Sequence, residues 1–197
     1  MNPEYGGLAV QIARDSALAE IRHCGTGMPK ALPAEFHALS GVFVTVLSQP
    51  RRSLRACIGY PEPMMPLAEA ISASAEGAVH DPRFPTLTEA EVESCVFEVT
   101  VMTPPEEIIY DSEEDLKSQI VIGRDGLIIE HMRRRGLFLP QVPVEQGWDI
   151  DEYLGHLCQK AGLGYDDWHV GHPVFKKFSG EIYSEDVPHG TVARREI

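Results

Sequence analysis

The stretch "GVFVTVLSQPRRSLRACIGYPEP", residues 41–63, decides the fold. Its first part, 41–49, is rich in β-branched residues and reads as a strand. Pro50-Arg51-Arg52 turns the chain. In the second part Leu54, Ala56 and Ile58 alternate with Arg55, Cys57 and Gly59, the period of two that marks a strand with unlike faces. Tyr60-Pro61 and Pro63 stop that strand at once. Two β-rich runs joined by a short turn predict an antiparallel hairpin, with Cys57 and Arg55 sharing one predicted face.

Working outward, residues 3–23 predict an amphipathic helix with Val10, Ala13, Ala17 and Ile21 along one stripe, closed by Cys24-Gly25-Thr26-Gly27. A second helix is expected over 66–79, with Pro66 in its first turn. Thr88 and Glu91 have the spacing of a capping box and open a short helix. "CVFEVTVMT" (95–103) alternates cleanly: Cys95, Phe97, Val99 and Val101 form an apolar face, and Val96, Glu98, Thr100 and Met102 a mixed one. "IVIG", "GLIIEH" and "GLFLPQV" read as three more strands, separated by Arg124-Asp125 and by a turn at Arg133-Arg134-Arg135. Asp149 and Glu152 cap a helix that lines up Leu154, Leu157, Cys158 and Ala161 until Gly162. A last strand is expected over 174–182, followed by a charged tail. Strands in hairpins with helices between the groups define an α+β fold: an antiparallel β-sheet flanked by helices, not a doubly wound sheet.

With 197 residues, 43% of them hydrophobic, the chain suits a single domain over 1–197, with room for a small lobe built from its middle or C-terminal part. The net charge of −13 disfavours nucleic acid, which would be repelled at long range; the arginine turn is the one local exception, and as a hairpin tip it also suits plain solvation. No basic-then-apolar start and no apolar run near the ~20 residues of a membrane span is visible, so a cytoplasmic protein without a membrane partner is expected. The four cysteines, Cys24, Cys57, Cys95 and Cys158, lack any CxxC spacing and read as free thiols.

His80-Asp81-Pro82-Arg83-Phe84 presents an imidazole, a carboxylate and a guanidinium on one ordered turn, because Pro82 keeps Asp81 out of the helix. One reading makes Cys57 a nucleophile or redox centre, His80 its base, and Arg55 or Arg83 an anion clamp; a nearby cation favours the thiolate. The structural reading pairs Asp81 with Arg83 or makes it a cap of the following turn, and counts Cys57 as core. Because a guanidinium is rarely buried unpaired, the face that Arg55 shares with Cys57 is expected to be polar, exposed or paired with an acid such as Asp81 or Glu98. His169 and His172 have HxxH spacing, but Gly171 and Pro173 oppose a helix there, and no metal is expected. Gly-rich phosphate loops are absent, and the sequence leaves any cofactor unknown. "GLFLPQVPVEQGWD" places Gln141 and Glu145 on a loop fixed by Pro140 and Pro143, a candidate site wall.

Taken in order, "LRACIG", "HDPRF", "EVTVMTPPE", "GLFLPQV", "DIDEYL" and "CQKAGL" resemble the AMMECR family of domains over about residues 8–181. The family pattern has glycine where this chain has Ala56, which implies a slightly less tight backbone beside Cys57. The resemblance implies an α+β protein with a large lobe, a smaller lobe and a cleft between them. It carries no assigned reaction. It also implies a shared pathway with Memo-like and radical SAM proteins, which occur with relatives of this domain in microbial gene sets. The expected function is a cleft around Cys57 that binds or modifies a small or anionic substrate. The alternatives are a non-catalytic adaptor and nucleic-acid binding through the basic turn. A homo-oligomer is compatible with the sequence.

Overall fold

In the computed structural model, residues 5–25 and 27–195 are described; the predicted helix start at Pro3 and the Thr26 of its predicted stop lie outside them. The chain forms two compact units, one from the N-terminal part through Thr103 together with the segment from Glu181, the other from Pro104–Gly180.

The first unit is built on a five-stranded sheet in the order β2-β1-β3-β8-β9, whose last two strands are Gly180–Glu185 (β8) and Val192–Arg195 (β9). β1 (Val42–Ser48) and β2 (Ser53–Tyr60) form the expected hairpin, and β3 (Val96–Met102) pairs antiparallel with the other side of β1. The residues Val42, Val44, Val46, Ala56, Phe97 and Val99 are wholly buried against α1 (Gly6–Arg22) and α2 (Leu67–Val79). Such burial stabilises by roughly 1.5–3 kcal/mol for each large aliphatic or aromatic side chain. Alanines at 13, 17, 70 and 75 let the helices approach closely, and Ser16 and Ser72 join them by a hydroxyl pair at 2.9 Å. α1 stops earlier than the glycines suggest: His23 itself takes the left-handed cap (φ 51°), which a non-glycine residue rarely adopts. Pro66 is the residue before α2, not its first turn. The Thr88–Glu91 capping box opens α3 (Glu89–Ser94) as expected.

One buried ion pair crosses this unit. Arg14 of α1 donates to Glu185, to the carbonyl of Val92 and, at 2.9 Å, to that of Cys95, and it lies over the Phe97 ring. Glu185 also accepts the Phe97 N–H at 2.9 Å, so both charges are surrounded by partners in the core.

The second unit holds a four-stranded sheet in the order β4-β7-β5-β6. Its strands are β4 (Glu106–Ile108), β5 (Gly126–His131), β6 (Arg134–Phe138) and β7 (Val174–Phe178). The helix α6 (Ile150–Lys160) starts at the Asp149–Glu152 box and buries Tyr153, Leu154, Leu157 and Cys158 with Leu127, Ile129 and Phe175. Close approach is possible because Gly136 has no side chain: a Cβ there would stand 2.7 Å from the Ala161 nitrogen. α4 (Glu113–Ser118), capped by Ser112, was not signalled by the pattern.

Four expectations are corrected. "IVIG" is a turn, in which Asp125 accepts the Val121 N–H at 2.8 Å. The hairpin tip is Met132-Arg133, with Arg134 and Arg135 already in β6. Gln141 and Glu145 lie on a short helix, α5 (Gln141–Gln146), and not on a loop: a proline in a first helical turn removes an N–H that has no helical partner anyway, so Pro143 permits what it was expected to prevent. The expected last strand is two strands in different sheets, β7 and β8 (Gly180–Glu185), and the charged tail forms β9 (Val192–Arg195) on β8.

Candidate functional site

β2 is an edge strand, and Cys57 sits where its backbone N–H and C=O point away from β1. An open edge of this kind would otherwise accept a foreign strand. Here side chains of the turn after α2 take its place. Asp81 Oδ2 accepts the Cys57 N–H at 2.9 Å, and Arg83 Nη2 donates to the Cys57 carbonyl at 2.8 Å. Arg83 also forks onto Asp81, with Nε to Oδ1 at 3.0 Å and Nη2 to Oδ2 at 2.7 Å. Pro82 makes this geometry local, since it bars continuation of α2 and turns both side chains back onto the strand. The Asp81 carboxylate is 1% exposed, while the Arg83 side chain is 53% exposed. Those Arg83 hydrogen bonds hold the Asp81 carboxyl well below the usual carboxylate range against the opposing effect of burial, and the Cys57 and Arg83 N–H groups add to them.

Next along the edge, Arg55 is fixed by Glu91 (Nε to Oε1, 2.8 Å) and by the Pro85 carbonyl (2.8 Å), beside the Phe84 ring. Its acid is therefore Glu91, not Asp81 or Glu98. The Glu91 carboxyl is pulled down to about 2, chiefly by Arg55 and further by its capping bonds to Thr88. Arg55 is also the extra residue of a bulge, because Val46 pairs with Ala56 while Leu47 pairs with Leu54. The slip undoes the expected alternation at its start and leaves Leu54 44% exposed.

Across the sheet, Cys57, Thr45 and Glu98 are register partners on three adjacent strands. They alternate with the wholly buried Val44, Val46, Ala56, Phe97 and Val99, and so form a half-buried polar row on the other face. Thr45 Oγ1 donates to Cys57 Sγ at 3.4 Å. Glu98 Oε2 accepts from two guanidiniums, Arg52 at 3.3 Å and Arg195 at 3.1 Å, and Arg52 also bonds Ser184 Oγ at 2.7 Å. Burial pushes the Cys57 thiol above its ordinary value; the Thr45 hydroxyl and Arg83 pull it down, and Asp81 and Glu98 add to the rise. The resting group is a neutral thiol.

Of the residues singled out from the sequence, Cys57, Asp81 and Arg83 come together, with Arg55 and Glu98 close by. His80 turns elsewhere. Its Nε2 pairs with Glu20 of α1 at 2.9 Å, so it does not serve Cys57 as a base. Gln141 and Glu145 belong to the second unit. His169 pairs with Glu113 at 2.8 Å, and among the described residues no three of His, Cys, Asp and Glu gather as a metal would require. Thr45, Arg52 and Arg195 escaped the sequence reading. Thr45 alone carried a signal, since a hairpin turning at 50–52 sets it near Cys57. No disulfide forms: Cys24 is exposed, Cys57 half-buried, and Cys95 and Cys158 buried.

A mixed fold of antiparallel sheets and helices, carrying the LRACIG strand clasped by the HDPRF turn, defines the class of protein, and comparison with known proteins agrees with it. The AMMECR1 family model matches residues 10–183. A protein of Thermofilum pendens is 44% identical over 205 residues, covering 99% of this chain and 96% of its own length. Protein MJ0810 of Methanocaldococcus jannaschii is likewise 44% identical, covering 98% and 96%. The crystal structure of the uncharacterized protein PH0010 from Pyrococcus horikoshii superposes with a TM-score of 0.84 at 40% identity, over 100% of this chain and 99% of that one. The chain belongs to the AMMECR1 family. The family has no established molecular function. Among the described residues no helix is long and apolar enough to cross a membrane.

Proposed function

We propose that the polar sheet face at Cys57 is the functional site and that it receives a small anionic substrate. The observation that carries this reading is the row Cys57–Thr45–Glu98, in which one carboxylate is shared by two guanidiniums. That leaves a local positive excess in a chain of net charge −13, and Arg195 is 53% exposed with one carboxylate contact. An anion reaching the face would meet Arg195, the Thr45 hydroxyl and the thiol. In this reading Asp81 and Arg83 are positioning residues, since the Asp81 carboxylate and the Nε and Nη2 of Arg83 are spent on each other and on the Cys57 backbone. A neutral thiol attacks an electrophile only after losing its proton, so any covalent step draws on a base the substrate brings.

The raised thiol favours a second reading, a non-catalytic adaptor whose sheet face binds a partner. Association with Memo-like or radical SAM proteins, a single functional domain over the whole chain, a cytoplasmic setting and a homo-oligomer extend the proposal by family resemblance and composition alone.

The test is thermal unfolding with a panel of small carboxylates, phosphate and pyrophosphate. At least one anion is expected to raise the Tm of the wild type, and Arg195→Ala should abolish that shift while Cys57→Ser keeps most of it. No shift with any anion, or a shift that survives Arg195→Ala, overturns the substrate reading.

A further inference from the structure

The β5–β6 hairpin closes with His131 opposite Arg134, leaving a two-residue loop, Met132-Arg133. Both loop residues have positive φ, 49° and 62°. A tight hairpin with two left-handed central residues is a type I′ turn, for which Asn-Gly is the favoured pair because it bears that backbone at least cost. An unbranched methionine and an arginine are costly there. Nothing in the packing offsets that cost. Met132 is 69% exposed, Arg133 and Arg134 are exposed, and among the described residues neither guanidinium has a hydrogen bond or an ion pair. The next residue shows the contrast: Arg135 is tied across the pair to Glu130 at 3.4 Å. Local strain kept without a structural return marks a functional position.

We infer that this tip is a docking knob for an acidic protein segment that also carries an exposed apolar residue. The two unpaired guanidiniums suit carboxylates, which they bind in a bidentate fork, and the exposed methionine that precedes them in the turn offers an adaptable apolar contact beside them. Extended polyanions fit less well. A chain of net charge −13 repels a nucleic acid or an anionic membrane over a Debye length, whereas a short segment need touch only the tip.

The experiment titrates the full chain into a fluorescein-labelled, glutamate-rich peptide with a central leucine, followed by anisotropy. A thymidine oligonucleotide and phosphatidylserine-containing vesicles run in parallel. The knob predicts salt-sensitive peptide binding that is at least tenfold weaker in Arg133→Glu/Arg134→Glu. A second variant, Met132→Asn/Arg133→Gly, restores the favoured turn; it should raise Tm by roughly 3 °C and still lose the peptide. Absence of peptide binding, indifference to charge reversal, tighter binding of the oligonucleotide or vesicles, or an unchanged or lower Tm in the turn variant overturns the inference.

Discussion

The carboxylate of Asp81 takes the backbone N–H of Cys57 at 2.9 Å, on the side of β2 where no strand follows. With Arg83 on the Cys57 carbonyl, two side chains do what a neighbouring strand would do, and they fix the strand that carries the thiol.

Removing that clasp should open the edge. A hydrogen bond to a charged group contributes about 1.5–3 kcal/mol. Asp81→Asn is therefore expected to lose about 2 kcal/mol, and hydrogen exchange at the Cys57 amide should accelerate. An amide that exchanges as slowly as in the wild type would show that β2 holds without the clasp.

The same carboxylates set the acid stability. Asp81 and Glu91 both have folded values below their unfolded ones of about 3.9 and 4.3. Their contribution is complete above the unfolded values and is lost as pH falls through the folded ones, for Glu91 from about 4.3 down to about 2. Tm measured from pH 6 to pH 2 should fall less steeply in Glu91→Gln than in the wild type. Parallel curves would refute the linkage.

Thiol chemistry separates the four cysteines. Under iodoacetamide at neutral pH, Cys24 should label first, Cys57 slowly, and Cys95 and Cys158 only on unfolding, since the first is exposed and the last two are buried. Burial has pushed Cys158 up to about 11. Thr45→Val removes a bond that favours the Cys57 thiolate, so the pH profile of Cys57 labelling should move upward. Peptide mapping across pH 7–10 reads this directly, and a downward move would contradict the assigned role of Thr45.

Glu185→Gln should be the most damaging of these changes. It leaves the Arg14 guanidinium buried without its counter-charge, which costs about 3–5 kcal/mol. Denaturant unfolding monitored at equilibrium checks it. A loss below 1 kcal/mol would mean that the Val92 and Cys95 carbonyls suffice for Arg14.

What the sequence disclosed followed periodicity. The β1–β2 hairpin, the β3 strand and both capping boxes were legible because alternation and spacing are local signals. The site was legible only as separate pieces. Asp81 meets Cys57 across a separation of 24 positions, a relation that no spacing states, and His80 stood out as a base only because no other histidine lies in the neighbouring predicted elements. The bulge at Arg55 is equally silent, because one extra residue changes register without changing composition. The break at Ser179, where the chain leaves one sheet for the other, is hidden because the strand pattern runs through it.

The central claim, an anion site on the Cys57 face, is tested most directly by amide NMR of the 15N-labelled protein titrated with the anion that raises Tm most. The account predicts saturable shifts clustered at Thr45, Cys57, Glu98 and Arg195, abolished by Arg195→Ala. Shifts confined to other residues, or none on this face, would contradict it.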